Sequence, residues 1–301
     1  MPSDRTQLIF DEEFLARLGR LRLLVKTLAR GGSGGQQRSR QLGDGLEFAD
    51  HRAYARGDDV RFIDWPYYAR MEKLLLRLFH QHHEADVAIL LDTSGSMAPG
   101  GREETFHYSL RVAACLAYAA MSALNRVTIW PFSAELGTEM RTARNSDQIL
   151  PLLEYLAGLD CGGHTHLLRC VGEYCRRAAG PAGVYIVSDL LDSVGELSDA
   201  LACLQQRPGE TTLLHVQSPE VARPPWRGPL LLRDAETARP MTVEVTEELA
   251  AAYRQRWEAF QSGCQRIAAV RGATYIAASA DEPFERLILQ TLRNSGRGER
   301  D

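Results

Sequence analysis

Small oxygen-bearing side chains stand in three short loops of the sequence, in a pattern that can bind a divalent cation. Mg²⁺ prefers hard oxygen ligands in near-octahedral geometry and keeps several waters. Short hydroxyl side chains can converge on such an ion, and carboxylates can orient the hydroxyls and hold the waters from behind. We therefore predict a magnesium site, which Mn²⁺ or Ca²⁺ could also occupy. Its residues are Asp92, Ser94, Ser96, Thr165 and Asp189.

The predicted ligands favour binding over catalysis. Neutral hydroxyls leave the ion most of its positive charge, so an open position would attract an Asp or Glu carboxylate from a protein partner. A magnesium-dependent phosphohydrolase with Asp92 as nucleophile is the alternative. That chemistry calls for a second aspartate two residues later as acid and base, where this chain has Ser94. The sequence also lacks a P-loop motif for ATP.

The elements that must position these loops alternate between strands and helices. The run 87–91 is continuously apolar, as expected for a strand that is buried on both faces. Alternation of this kind predicts an α/β fold: a doubly wound, mostly parallel sheet with helices on both faces, to which an N-terminal helix and small β additions are attached. Ligands of such sheets bind beyond the carboxyl ends of the strands, where the polar loops lie.

The predicted boundaries follow from hydrophobic periodicity. Strands are expected at 74–79, 87–91, 127–132, 183–188, 211–216 and 274–277, with hairpins at 134–143 and 230–245. Helices are expected at 8–30, 106–125, 147–157, 167–179, 198–206, 247–270 and 283–293.

The order of these motifs resembles the metal-ion-dependent adhesion site of von Willebrand factor A domains, a Rossmann-type fold. The D-x-S-x-S loop at 92–96 follows an apolar strand, and Gly162-Gly163-His164-Thr165 and the strand-terminal Asp189 come next in the same order. The resemblance implies that Ser94, Ser96 and Thr165 hold the ion and that the two aspartates support it.

A second resemblance lies in residues 45–83, which we call the signature segment. Its sequence looks like the hallmark of the domain-of-unknown-function 58 family, which couples such a segment to a von Willebrand A domain. The resemblance implies an adaptor that works beside a MoxR-type AAA+ ATPase. The residues that carry it, a recognition surface or a structural ion-pair network, are Arg52, Tyr54, Gly57, Asp58, Asp59, Arg61, Asp64, Trp65 and Arg70.

Three segments follow from these patterns: a helix and flexible linker at 1–44, the signature segment at 45–83, and an A-type domain at 84–295 with an inserted hairpin at about 218–245. The helix at 8–30 has one apolar stripe. From Arg17 in this helix to Arg40 in the linker, the basic residues have no acidic residue among them. The helix either packs on the main domain by that stripe or forms a docking arm for an acidic partner or a membrane surface.

Composition narrows the class of protein. The chain has 301 residues, 45% of them hydrophobic, and a net charge of −4, which does not favour nucleic acid or anionic lipid. Its six cysteines contain no C-x-x-C pair and are expected to be reduced and mostly buried. The sequence shows no secretory signal and no apolar stretch long enough for a membrane span, so we expect a cytoplasmic protein.

Two further groups of residues could bind a metal, but their patterns are less specific. Zinc is a minor alternative for the set Cys161, His164, His166, Cys170 and Cys175, whose spacing matches no standard ligand pair. The alternating histidines at 80–83 could also bind a metal, although a solvated edge strand accounts for them. The tryptophans are expected to pack in the core or against the hairpin: Trp65, Trp130, Trp226 and Trp257.

Overall fold

The structure is a computed structural model, and it describes residues 4–31, 47–55, 58–80, 86–98, 104–142, 149–178, 182–191, 193–233 and 239–295. The chain forms two compact units. The larger unit comprises Met1–Leu28 and Ala85–Asp301, and the smaller unit comprises Ala29–Glu84. Gly57 and the histidines at 82 and 83 lie outside the described residues.

The helices and strands of the described residues are as follows. The helices are α1 (Asp4–Ile9), α2 (Glu12–Gly31), α3 (Trp65–Met71), α4 (Glu104–Ser122), α5 (Ile149–Ala157), α6 (Leu167–Arg177), α7 (Val194–Gln205), α8 (Pro219–Ala222), α9 (Glu247–Val270) and α10 (Phe284–Ser295). The strands are β1 (Glu47–Ala53), β2 (Leu75–His80), β3 (Asp86–Asp92), β4 (Val127–Phe132), β5 (Met140–Arg141), β6 (Ala182–Ser188), β7 (Thr211–Gln217), β8 (Gly228–Arg233), β9 (Pro240–Val245) and β10 (Thr274–Ser279).

The central sheet lies in the larger unit. Within the described residues it has six strands in the order β10-β7-β6-β3-β4-β5, and all neighbours are parallel except β4 and β5. Central strand β3 is apolar on both faces, because Ile89 and Leu91 enter one hydrophobic core while Ala88 and Leu90 enter the other. The predicted mostly parallel α/β fold is confirmed.

Helices cover both faces of this sheet. One core contains residues of α1, α2, α4, α5 and α10, and the other contains residues of α6, α7 and α9. Helix α9 begins at its N-cap Thr246, whose hydroxyl accepts a hydrogen bond from the Leu249 N–H at 3.2 Å. Helices connect the parallel strands as crossovers, so the carboxyl ends of these strands lie at one edge of the sheet.

The N-terminal helix packs on the larger unit by its apolar stripe. Phe14, Leu18 and Leu21 are buried, and the Phe14 ring lies 5.2 Å from that of Phe284. Arg17 makes two hydrogen bonds of 2.5 Å to the Glu285 carboxylate. The predicted single helix is divided into α1 and α2 by a break at residues 10 and 11. Of the two interpretations of this helix, the structure therefore shows the first: the apolar stripe packs on the main domain.

Small β additions complete the fold. Strands β8 and β9 pair as an antiparallel hairpin at 228–245, and none of its side chains that the structure describes is buried. In the smaller unit, β1 and β2 pair antiparallel, with a 3₁₀ helix at Val60–Phe62 and helix α3 between them. No helix in the described ranges combines the length and the apolar character needed to cross a membrane.

Candidate metal centre

The first and third predicted loops meet because their strands are neighbours. Strands β3 and β6 run parallel with Leu91 opposite Val187, so Asp92 and Ser188 end side by side. The Ser188 hydroxyl donates a hydrogen bond of 2.5 Å to Oδ2 of Asp92. Ser188 Oγ also accepts from the Leu190 N–H at 3.0 Å, which ties the loop after β6 to the carboxylate of β3.

The four residues of these two loops form a continuous hydrogen-bonded chain. Oδ1 of Asp92 accepts from the Ser94 N–H at 2.9 Å, and the hydroxyls of Ser94 and Ser96 lie 3.0 Å apart. The Ser96 hydroxyl then donates to Oδ1 of Asp189 at 3.2 Å. All four side chains are buried, so their oxygens are held in place by protein groups.

The loop with Thr165 is joined to the first loop through the backbone. The Gly162 N–H donates to the Thr93 carbonyl at 2.8 Å, and the Gly95 N–H donates to the Gly163 carbonyl at 2.9 Å. Gly163 has φ +77°, a left-handed conformation that favours glycine. Thr165 follows two residues later and is buried. The structure thus brings all three predicted loops to one edge of the sheet.

A small cavity of about 10 Å³ adjoins this cluster, next to Ser96 and Asp189. A cavity of this size holds about one water-sized group. Its other walls come from α4, the loop after β6, the end of β7 with the residues after it, and α9: Thr105, Leu191, Gln217, Ser218, Val221 and Trp257. Hydroxyl and carboxylate oxygens beside a water-sized space are a donor set that suits Mg²⁺.

Behind the third loop lies His215, which the sequence motifs did not single out as a functional residue. It is fully buried on β7, where it pairs with Ser188 of β6. Its Nδ1 lies 2.6 Å from the hydroxyl of Tyr275, and its ring packs against Trp257 and Phe260. Burial lowers the pKa of His215 to about 4, and a contact with the Asp189 backbone acts in the opposite direction.

The roles of Ser188 and His215 could not be predicted from local sequence. Ser188 is one polar residue at the end of an apolar run, and His215 is one histidine within another. Their position at the site depends on which strands become neighbours. A polar residue at the end of a buried strand, directly before a predicted ligand, was the one available signal for Ser188.

The zinc alternative finds no support in the described residues, where no cluster of three or more His, Cys, Asp or Glu could hold a metal ion. His164 and His166 are exposed, whereas Cys170 is buried and its thiol donates to the Ser133 carbonyl at 3.4 Å. Burial raises the pKa of Cys170 to about 12 and also raises that of Cys175. Protonated thiols are poor metal ligands.

The signature segment contains local ion pairs. Asp58 accepts from Arg52 at 2.7 Å and Asp59 from Arg61 at 2.7 Å. The pKa of Asp58 is lowered by the Ala55 N–H and then by Arg52, and that of Asp59 is lowered by Arg61. The predicted ion pairing is therefore present in these residues.

The middle of the segment is organised around the buried Asp64. Its Oδ1 accepts from the Tyr67 N–H at 2.9 Å at the start of α3, and its Oδ2 lies 2.9 Å from Nε2 of His51. Trp65 is 56% exposed and packs edge-to-face on Tyr68. Of the remaining predicted residues, Tyr54 is partly buried. Arg70 is exposed, and its Nε donates to the Pro66 carbonyl.

The tryptophans divide into two groups. Trp130 is buried and Trp257 is partly buried, as expected, but Trp65 and Trp226 are exposed, the latter by 41%. The expectation that Trp65 packs in a core is wrong because α3 is a short helix whose outer face is solvent-exposed. Trp226 precedes a hairpin that offers no buried surface to cover it.

The fold and its edge loops define an α/β protein with an oxygen-rich polar site at the carboxyl ends of its strands. Residues 50–262 match the family described as "Protein of unknown function DUF58", so the chain belongs to that family. The resemblance seen in the signature segment is thereby confirmed at the level of the family. No curated protein matches the chain.

Solved structures give weak likenesses. BatB from Bacteroides thetaiotaomicron, a conserved hypothetical protein, is 15% identical with a TM-score of 0.42, and the match covers 70% of this chain and 98% of that one. An aerotolerance-related membrane protein from Bacteroides fragilis is 16% identical with a TM-score of 0.41, and the match covers 70% and 99%. Scores this low do not support conclusions about this chain.

Proposed function

We propose that this protein is a non-enzymatic interaction module that binds a divalent cation, Mg²⁺ foremost, and uses it to bind an Asp or Glu of a protein partner. The observation that carries the proposal is the buried chain of hydrogen bonds from Asp92 through Ser94 and Ser96 to Asp189, beside the loop with Thr165. It supports a site of the von Willebrand A type.

The residues have distinct roles in this proposal. The hydroxyls of Ser94, Ser96 and Thr165 would hold the ion, and the carboxylates of Asp92 and Asp189 would orient the hydroxyls and the bound waters. Because three neutral ligands would leave the ion most of its positive charge, a partner Asp or Glu would complete the site by coordinating the ion. The ion supplies an electrostatic anchor and no chemical step.

The environment of Asp92 argues against the phosphohydrolase alternative. Its side chain is 1% exposed, and its two oxygens accept hydrogen bonds from the Ser94 N–H and the Ser188 hydroxyl. A nucleophile must reach its substrate, and a carboxylate in this position is enclosed by protein groups. Turnover of p-nitrophenyl phosphate that is lost in Asp92→Asn would favour the enzyme instead.

The partner that we propose is a MoxR-type AAA+ ATPase, beside which the protein acts as an adaptor or chaperone-type component. This part of the proposal is supported by the family resemblance alone. The metal edge, which we define as residues 92–96, 162–165 and 188–191, would bind an acidic residue of the ATPase or of a shared client.

The test is capture of the purified ATPase by the immobilised chain in Mg²⁺ and in EDTA. We expect capture in Mg²⁺ that is lost in EDTA and in Thr165→Ala. Thr142→Ala is the matched control, because Thr142 is also buried but bonds to Val127 at the opposite end of the strands. Capture that is independent of metal and unchanged in Thr165→Ala would overturn the proposed mechanism.

A further inference from the structure

The imidazole of His215 is fully buried, and one of its two ring nitrogens has a hydrogen-bond partner among the described residues. Nδ1 lies 2.6 Å from the hydroxyl of Tyr275 and 3.5 Å from Nε2 of Gln217. The Gln217 amide nitrogen can only donate, and the hydroxyl of the partly buried Tyr275 can donate as well. We therefore assign Nδ1 as the acceptor, the tautomer in which both contacts can be hydrogen bonds.

The protonation of the ring follows from this assignment. A neutral imidazole carries one proton, so with Nδ1 as acceptor the proton lies on Nε2. Nε2 is buried and has no hydrogen-bond partner among the described residues. A buried donor without an acceptor is unfavourable, and native structures rarely keep one without a reason.

The surroundings of the ring indicate where this donor could be satisfied. Trp257 and Phe260 pack against the imidazole and offer no conventional acceptor. The ring also contacts the backbone of Asp189, although Nε2 does not have the geometry of a hydrogen bond in this structure. Asp189 thus offers the ring a backbone acceptor and is also a residue of the proposed metal site.

We propose that His215 is a positioning residue of the metal site, whose Nε2–H donates to the Asp189 carbonyl when the third loop binds a divalent ion. This inference rests on the proposed function and adds a regulatory contact to it. Tyr275 acts through His215 because its hydroxyl fixes the ring tautomer that can donate. Metal binding and satisfaction of the buried imidazole then favour the same position of the loop.

The test is a Mn²⁺ titration of the full chain, followed by the electron paramagnetic resonance signal of the free ion, together with denaturant unfolding in EDTA and in Mn²⁺. We expect Tyr275→Phe to weaken Mn²⁺ binding about tenfold, as removal of outer groups of a metal site commonly does. Its stability should fall below that of Tyr174→Phe, because Tyr275→Phe removes the donor to His215 whereas the Tyr174 hydroxyl has no partner in the described structure, and the loss should be larger in Mn²⁺ than in EDTA.

Two isosteric variants separate positioning from packing. The amide nitrogen of Gln in His215→Gln can occupy the place of Nε2 and donate, so this variant should keep most of the wild-type Mn²⁺ affinity. His215→Asn can imitate only Nδ1 and should bind as weakly as Tyr275→Phe. These variants also serve if Tyr275→Phe does not fold.

The outcomes distinguish the inference from the function on which it rests. If the wild type binds Mn²⁺ and Tyr275→Phe or His215→Asn binds it equally well, the inference is overturned and the metal site stands. If the folded wild type binds no Mn²⁺, both are overturned. Equal losses of stability with and without metal would show a packing role and also overturn the inference.

Discussion

The metal edge and the signature segment both concentrate polar residues, but they hold them differently. At the metal edge, local hydrogen bonds within 92–96 are joined to buried residues that are distant in sequence, as Asp92 is to Ser188 over 96 positions and Ser96 to Asp189 over 93. In the signature segment, Asp58 pairs with Arg52 over six positions and Asp59 with Arg61 over two, all near solvent. Exposed pairs of this kind contribute little to stability.

The difference shows what each region can do. A network of buried hydrogen bonds fixes its oxygens in space, as a metal site requires, and depends on the whole sheet. In the signature segment the ion pairs of Asp58 and Asp59 are local, and Trp65 and Tyr68 stay exposed at 56% and 41%. Exposed aromatic residues with arginines nearby are the composition of protein-binding surfaces.

The largest expected effect is a loss of stability on acidification that comes from His215 behind the metal edge. Burial lowers its pKa from 6.5 to about 4, so below pH 6.5 the unfolded chain binds a proton that the folded chain does not. In EDTA the free energy of unfolding should fall between pH 6.5 and 4, by on the order of 3 kcal/mol from this group. Urea unfolding at each pH measures it.

His215→Gln is the control for the pH dependence, since it removes the titrating group and should flatten this part of the curve. The signature segment acts in another window. The pKa values of Asp58 and Asp59 are lowered from 3.8, so their contribution is present above that pH and is lost as the pH falls through the lowered values. A slope between pH 6.5 and 4 that persists in His215→Gln would contradict the assignment.

The next largest effect is expected for Ser188→Ala, which removes the hydroxyl that donates to Asp92 and adds no atom to the buried site. Because a buried carboxylate then loses a hydrogen-bond donor, the free energy of unfolding should fall by about 1–3 kcal/mol. Thr93→Val is the matched control, because it removes a buried hydrogen bond of 3.0 Å to the neutral Phe132 carbonyl. Its cost should be about 1 kcal/mol. Equal losses would mean that the charge of Asp92 does not matter.

Ser96→Ala should act on metal binding more than on stability. Ser96 connects Ser94 to Asp189 and adjoins the small cavity, so its loss should weaken Mg²⁺ affinity by about 10–100-fold. Calorimetric titration with Mg²⁺ measures this. Ser109→Ala removes a buried hydroxyl that bonds to the Thr105 carbonyl within α4, and it should leave the affinity unchanged.

The smallest effect is expected in the signature segment. Arg61→Met removes the pair with Asp59, which is exposed and screened, so thermal unfolding should not change measurably. A drop in stability comparable to that of Ser188→Ala would show that the segment's ion pairs are structural. Loss of ATPase capture without loss of stability, in Trp65→Ala, would show a recognition surface.

The parts of the molecule that follow from local pattern were predictable from the sequence. The apolar run at 87–91 and the D-x-S-x-S loop after it led to β3, to the edge at the carboxyl ends of the strands and to residues that the structure does bring together there. Strand β1 was missed because Glu47–Ala53 mixes charged and apolar residues without alternation, and it is ordered by pairing with β2. Helix α8, of four residues, is too short to have a period.

The parts that depend on long-range neighbours were not predictable in the same way. Ser188 reaches Asp92 because β6 lies beside β3, and His215 lies opposite Ser188 because β7 lies beside β6. The residues near these positions do not indicate which strands will be neighbours. The exposure of Trp65 likewise depends on what covers α3, which side-chain chemistry alone does not reveal.

The measurement that tests the central claim most directly is a Mn²⁺ titration of the purified chain, with Mg²⁺ as competitor. We expect one saturable site per chain in the wild type, displaced by Mg²⁺, and no such site in Asp92→Ala, while circular dichroism shows both proteins folded. A folded wild-type chain without saturable binding, or an Asp92→Ala chain that binds as the wild type does, would contradict the metal site.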